Sequence, residues 1–492
     1  MARQTKPQQT KLFINGAWVK GKASAREKRS QRDRRLLAEV GQATAEQVKL
    51  AIDAAYIAFR ATYRKAPAYQ RYDLLSAISR GIEEHTEDFV RLLAEEVGKP
   101  RAAAQIEVAR AQSTFLLAAE EAKRLYGETV PLDLLRGSEE RIGIALRQPI
   151  GVVAAITPFN FPLNLVAHKV APALAAGNTV VLRPTAEAPL IALELAKIIE
   201  RVGAPAGVFN VVPCSSKIAD VLLTSERVAM ISFTGSGAMG RHIRQRAGMK
   251  RVALELGSNA ANIVTPTADV CAAAAAIAKG GFTYAGQSCI SAQRIYVHDA
   301  VYDSFIESLT SAVCCLKVGD PLEDGVDVGP MISQAAAERA ESWIHDAVNA
   351  GAHVLVGGTR DGAYLSPTVL TDVTERMSVV CEEVSAPIVA VQRYTSFCSM
   401  IEEVNRSHLG LNHGVFTHDL AEALYAIEEL EVGAVIINDV STYRADHMPY
   451  GGVKESGVGR EGLRYAMQEM TELKFAVLNP DLQRLCRPEL KQ

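Results

Sequence analysis

From Gly151 onward, short runs of apolar residues alternate with amphipathic stretches. "GVVAAI" is followed by "NLVAHKVAPALAAG", "NTVVLRP" by "PLIALELAKIIERVGA", "GVFNVVP" by "SSKIADVLLTS", and the series closes on "VAMISFTG". Apolar runs too short for helices, spaced by helices with one apolar face, predict parallel strands buried on both sides. A second alternating section starts near Asn262 with "ANIVTP" and ends at "VGAVIIND". Upstream the period is helical. Thr44 and Gln47 have capping-box spacing at the head of "TAEQVKLAIDAAYIAFRAT". The pattern continues through "YQRYDLLSAISRGIEEHTEDFVRLLAEEVGKP" and "AAAQIEVARAQSTFLLAAEEAKRL", so three consecutive helices are expected to open the chain. "GSEERIGIALRQPIGVVAAITP" reads as strand with a break from Pro149 to Gly151. The expected fold class is α/β, two Rossmann-type units with a ligand crevice between them.

Composition narrows the function classes. The 492 residues are 48% apolar and 22% charged, an ordinary globular balance, and the net charge of −3 argues against nucleic acid or an anionic membrane as partner. No N-terminal apolar core suggests a secretory signal, and no run reaches the roughly 18 residues of a membrane span. Eight cysteines without C-x-x-C or metal spacing fit free thiols in a reducing cytoplasm, with no metal. The local exception is Lys20–Leu37, with eight basic residues against Glu27 and Asp33, expected to be a solvated loop face.

Two stretches carry candidate chemistry. In "ISFTGSGAMGRHI", Gly235, Gly237 and Gly240 spell G-x-G-x-x-G, and Glu255 in "RVALELG" stands 20 residues beyond Gly235, the place of a ribose-binding acid. Cys289 lies in "GGFTYAGQSCISAQRIYV", among small and polar residues in a loop before a strand. Nothing basic adjoins it in sequence, so local composition leaves nucleophile and exposed structural thiol about equally open.

"ITPFNFPLNLVAHKVAPALAAGNTVVLRP", "ELGS", "GQSC" and "CEEVSAPIVAV" together resemble the aldehyde dehydrogenase superfamily, and the likeness runs from "FINGAW" to "YGGVKESGVGREG". "ELGSNAANIV", "STYRADHMPYGGVKESG" and "RYAMQEMTELK" resemble the branch of lactaldehyde, phosphonoacetaldehyde and non-phosphorylating glyceraldehyde-3-phosphate dehydrogenases with the family-21-like bacterial enzymes. The resemblance implies a dinucleotide-binding domain over 1–131 and 151–257, a catalytic domain over 258–445, and an oligomerisation arm over 132–150 and 470–492. It makes Glu255 the general base rather than the ribose hook, with Cys289 following at the family's spacing of 34 positions. Attack by the Cys289 thiolate forms a thiohemiacetal that can release hydride. The Asn160 amide and the Cys289 backbone N–H then hold the oxyanion, and Glu255 activates water against the thioester.

Cofactor contacts implied by the same resemblance are Ile156, Thr157, Phe159, Arg183, Gly235, Ser236, Gly240 and Glu383, with Glu382 facing solvent. Lys169, nine residues after Asn160, is equally well explained as an exposed helix lysine. Arg183 suits a 2′-phosphate as well as a hydroxyl, and the usual repelling carboxylate is replaced by Ala186 with Glu187 one step late. NAD or NADP is therefore expected, NAD slightly ahead. Arg110 and Arg444 are the expected holders of a substrate tail, although Arg110 could instead pair with Glu107 on its own helix and Arg444 could simply order its loop. Phe161 and Ser288 replace the histidine and arginine of phosphonate-specific members, which points to a small polar or mono-anionic aldehyde. Two rivals remain: a CoA-acylating enzyme, against which Glu255 argues, and a silent scaffold, against which Asn160, Glu255 and Cys289 together argue. The strands "EERIGIALRQP" and "ELKFAVLNP" point to a homodimer or homotetramer.

Overall fold

The computed structural model describes residues 9–480. Each alternating section of the sequence builds one sheet. In the first, eight strands long, Val152–Ile156 lies at the centre between Thr179–Arg183 and Val228–Thr234, all parallel. Phe209–Val211 and Arg251–Glu255 extend the parallel set on either side. Val153 and Ala155 pack into the core on one face, and Val152, Ala154 and Ile156 into the core on the other. This two-sided burial is why the strand reads as an unbroken apolar run.

The second sheet has seven strands, with Arg294–His298 and Ala261–Val264 at its centre. The third is small: Thr471–Leu478 pairs antiparallel with Ile142–Pro149 along its full length, and Glu128–Pro131 adds an edge.

The start of the chain differs from the expectation of three opening helices. Strands Leu12–Ile14 and Ala17–Val19 come first and close the edge of the first sheet. The basic stretch is a β-hairpin, Ala23–Arg29 against Leu36–Gln42, rather than a solvated loop. Its first strand shows no apolar alternation because most of that strand's side chains stay in water, yet Lys28 turns inward and donates to the Glu96 carbonyl at 2.7 Å.

Four helices follow, not three: α1 (Ala45–Ala61), α2 (Ala68–Glu84), α3 (Thr86–Val97) and α4 (Arg101–Ala122). The long periodic stretch divides at His85, which leaves helical geometry at φ −109° and ψ 22° without any Gly or Pro to mark the break. Helix α3 ends on Gly98 at φ 70°, the left-handed C-terminal geometry that favours glycine. That sharp stop turns the chain so that Lys99 points inward, beneath what becomes the site.

Candidate active site

The residues singled out in the first sheet gather at the carboxyl ends of its parallel strands, where open α/β sheets bind ligands. Val152–Ile156 leads through Thr157 and Phe159 to Asn160, just ahead of α5 (Asn164–Ala175). Thr179–Arg183 delivers Arg183, Val228–Thr234 delivers Gly235, and Glu255 is the last residue of Arg251–Glu255.

Cys289 arrives from the second sheet, in the turn before Arg294–His298. That turn is bent by three successive residues in left-handed geometry, Tyr284 (φ 54°), Ala285 (φ 53°) and Gly286 (φ 64°). A Cβ on Gly286 would stand 2.2 Å from the Ala386 carbonyl oxygen, so the close approach requires glycine. The half-buried thiol packs among Ile290, Leu411 and Tyr450, with Sγ 3.0 Å from the Tyr450 hydroxyl. Burial pushes the Cys289 thiol up to about 11, against the opposing pull of Tyr450 and Arg444.

Glu255 is buried, and neither carboxyl oxygen has a hydrogen-bond partner. Burial, reinforced by the negative Glu461, raises it well above the usual carboxylate range. A carboxyl in this condition keeps its proton more tightly than an ordinary one and, once it has lost it, is the stronger base. Gly451 makes the approach possible, since a Cβ there would lie 2.9 Å from Glu255 Oε1.

Behind Glu255 runs a chain of buried charges. Lys169 is 1% exposed and donates to Glu461 Oε1 at 2.9 Å, so it is not the exposed helix lysine that the sequence equally allowed. The Arg444 Nη2 donates to Glu461 Oε2 at 2.9 Å, and its guanidinium carbon sits 3.7 Å over the Tyr450 ring. Burial opposes the Glu461 charge, but Lys169 and Arg444 outweigh it and hold that carboxyl well below the usual range.

Asn160 is braced from beneath. Its Oδ1 accepts from the Phe161 N–H at 3.1 Å, which leaves the Nδ2 hydrogens free to donate. Its backbone carbonyl accepts from Lys99 Nζ at 2.6 Å, and the buried Lys99 is paired with the equally buried Glu107. The same ammonium lies 3.9 Å from the Phe161 ring and 4.5 Å from the Tyr284 ring, tying the asparagine turn to the cysteine turn. Glu107 is thereby occupied, so Arg110 does not pair with it. Arg110 reaches Asp446 through two bonds, at 2.7 and 3.1 Å. His168 and Asn164 meet the same carboxylate. Thus Arg110 and Arg444 face the same region, each already paired on one side.

The dinucleotide contacts are brought together less completely. Gly240, expected at the dinucleotide, is buried inside helix α6 (Gly237–Arg246), its N–H bonds to the Ser236 carbonyl, and a Cβ would strike Leu256 at 2.6 Å. It serves helix-on-strand packing. The N–H of Gly235, the other expected glycine, is taken by the Glu255 carbonyl at 3.0 Å. The donors left to face a pyrophosphate are those of the first turn of α6, which Ser236 caps at 3.4 Å through Met239 N.

Arg183 opens onto a cleft of about 640 Å³ with Arg26, Gln42, Glu187 and Ser215, while its guanidinium donates to the Cys214 carbonyl at 3.3 Å. Ile156 and Thr157 are buried in the wall, and Phe159 packs against the core. Glu383 rests against Gly257, where a Cβ would come within 1.9 Å of Oε2, and Ser385 donates to its Oε1 at 3.1 Å. Burial raises Glu383 to about 6, and Glu382 is exposed. Nearby, the buried hydroxyls of Thr234 and Ser258 have no partner in the protein, as expected of a wall that faces a polar ligand. These features fit a dinucleotide.

Three participants escaped the sequence reading: Tyr450, Glu461 and the Lys99–Glu107 pair. The first two lie inside "YGGVKESGVGREG", which was read for resemblance and not for chemistry. Lys99 and Glu107 bear no local sign, since charged residues about two turns apart on helical sequence ordinarily face water.

A thiol within reach of the charge of a partnerless buried carboxyl, and a free amide donor whose turn Lys99 ties to the cysteine turn, mark an oxidoreductase acting on aldehydes. Residues 18–476 match the Aldehyde dehydrogenase family, and the chain belongs to it. It is 45% identical over 480 residues to the 3-sulfolactaldehyde dehydrogenase of Priestia megaterium, covering 97% of this chain and 100% of that one. It is 40% identical over 474 residues to the lactaldehyde dehydrogenase of Methanocaldococcus jannaschii, covering 95% and 100%. Aldehyde dehydrogenase 21 of Physcomitrella patens, solved with its reaction product succinate, superposes with a TM-score of 0.94 at 40% identity, covering 97% of this chain and 100% of that one. No helix among the described residues is long and apolar enough to cross a membrane.

Proposed function

We propose that this enzyme oxidises a small polar or mono-anionic aldehyde, of the lactaldehyde or glyceraldehyde-3-phosphate kind, to its carboxylic acid with NAD or NADP. Cys289 attacks the carbonyl carbon, and the oxygen gathers negative charge against Asn160 Nδ2 and the Cys289 N–H. The dinucleotide, when bound, accepts the hydride. Glu255 then takes a proton from water, and the hydroxide oxygen bonds to the thioester carbon as the carbon–sulfur bond breaks. The observation that carries this reading is the partnerless, raised carboxyl of Glu255 in the recess that holds the Cys289 thiol.

Relatives named for 3-sulfolactaldehyde and lactaldehyde support the substrate class. Arg110 and Arg444 hold the tail. Because Asp446 and Glu461 already compensate each guanidinium, a singly charged tail suits them better than a dianion. Solved relatives bound to NADP, and a Glu187 carboxylate in the Arg183 cleft that is already engaged by Thr185 and Arg26, support use of NADP as well as NAD. The first sheet is then the dinucleotide-binding unit and the second the catalytic unit.

Leu473, Phe475 and Val477 share one exposed face of the small sheet, which a second copy covers in a homodimer or homotetramer. Residues 481–492 of the expected arm lie outside the described residues. The free thiols among the described residues fit a cytoplasmic setting. The test is reduced-dinucleotide formation across an aldehyde panel, without CoA and with each dinucleotide, by the native enzyme and by Cys289→Ala. The variant is expected to be inactive; native rates in Cys289→Ala, or strict dependence on CoA, overturn the proposal.

A further inference from the structure

The cysteine turn contains no cation, yet the thiol must ionise to attack. Among the described residues, the only polar side chain bonded to Cys289 Sγ is Tyr450, at 3.0 Å. Between two neutral groups either can donate, but once the sulfur is ionised only the tyrosine can.

Tyr450 is held unusually firmly for a loop residue. Its backbone exchanges two hydrogen bonds with Glu461, at 3.2 and 2.6 Å. The Glu461 carboxylate grips Arg444, and Arg444 returns to lie 3.7 Å above the Tyr450 ring. A guanidinium on the ring face draws electron density from the phenol and makes its O–H a stronger donor.

We propose that Tyr450 is a catalytic residue: its hydroxyl donates the hydrogen bond that steadies the Cys289 thiolate, and Arg444 on its ring face strengthens that donor. The inference rests on the reading of Cys289 as nucleophile. The thiol proton leaves to solvent, Tyr450 keeps its own, and the hydrogen bond is released as sulfur bonds to carbon. Facing the sulfur, Tyr450 and Arg444 favour the charge, and Glu383 and Glu255 oppose it. Facing the tyrosine are Cys289, Arg444 and Glu255.

The experiment needs neither substrate nor dinucleotide. Alkylation of Cys289 by iodoacetamide, quantified by mass spectrometry on the full-length enzyme, is followed against pH for the native protein and Tyr450→Phe. Loss of one charge-assisted hydrogen bond is expected to move the ionisation midpoint up by about one pH unit and to slow neutral-pH labelling about tenfold. The maximal rate at high pH is preserved. A midpoint that stays or falls overturns the proposal. Should Tyr450→Phe not fold, Arg444→Lys is expected to shift the midpoint the same way by less, and no shift refutes it equally. Turnover by Cys289→Ala would sink the proposed function instead, and the two failures are read in separate assays.

Discussion

Lys99 and Glu107 form a fully buried ion pair that touches no recess, and the structure assigns them the task of holding Asn160. Replacing Lys99 with Met keeps the stem and removes the ammonium. The Asn160 carbonyl then loses its 2.6 Å donor, and the Phe161 and Tyr284 rings lose the cation between them. Glu107 keeps the Leu163 and Asn164 N–H groups, at 2.9 and 3.2 Å, but loses its counter-ion. Stranding one member of a buried pair costs about 3–5 kcal/mol. The double variant Lys99→Met/Glu107→Gln still offers an amide oxygen to both N–H groups without the stranded charge. It is expected to recover at least about 1 kcal/mol relative to Lys99→Met alone. A chain with more than one core does not unfold in a single step, so the readout is the first transition in urea. In stopped-flow measurements, displacement of Asn160 by a fraction of an ångström should lower the hydride-transfer rate about tenfold to a hundredfold with little change in KM. A Lys99→Met enzyme that loses less than about 1 kcal/mol and keeps its kcat within about twofold would show that the pair neither stabilises nor positions.

Two further outcomes follow from the perturbed carboxyls. Glu255→Gln should still release one burst of reduced dinucleotide and then stall, with steady turnover down about a hundredfold or more; a normal steady rate would remove Glu255 from deacylation. Its raised value also has a sign. Between the unfolded carboxyl's value near 4.5 and the raised one, the native state holds a proton that the unfolded chain has lost. Native stability therefore falls as pH rises through that window, and Glu255→Gln should flatten the fall in denaturation measured against pH. Asp446 runs the other way: His168 and Arg110 outweigh burial and hold it well below its usual 3.8. Its contribution is present above about pH 4 and is lost as pH drops below that value. Asp446→Asn should be less stable at neutral pH with a shallower acid limb, and parallel curves would refute the assignment.

The α/β class and both sheet-forming sections were legible from the chain, and Cys289, Glu255 and Asn160 stood out in it as candidates. Apolar periodicity is a local record of which faces leave water, and the reactive residues sit in stretches whose resemblance is dense. Legibility failed where the local signal was ambiguous. The first strand of the hairpin, Ala23–Arg29, keeps most of its side chains in water, and the break at His85 has no residue that enforces it. Gly235 and Gly240 match a phosphate-binding pattern, but their N–H groups are spent within the fold.

What only the tertiary structure decided is which charged or hydroxylated side chains meet. Tyr450 reaches Cys289 across 161 positions, and Arg110 reaches Asp446 across 336. A lysine at the end of a helix looks the same in sequence whether water or a glutamate receives it. The choice belongs to the loops at the carboxyl ends of the first sheet's strands and at the amino ends of the second's, whose meeting sets the partners, the burial and hence the protonation of the groups between them.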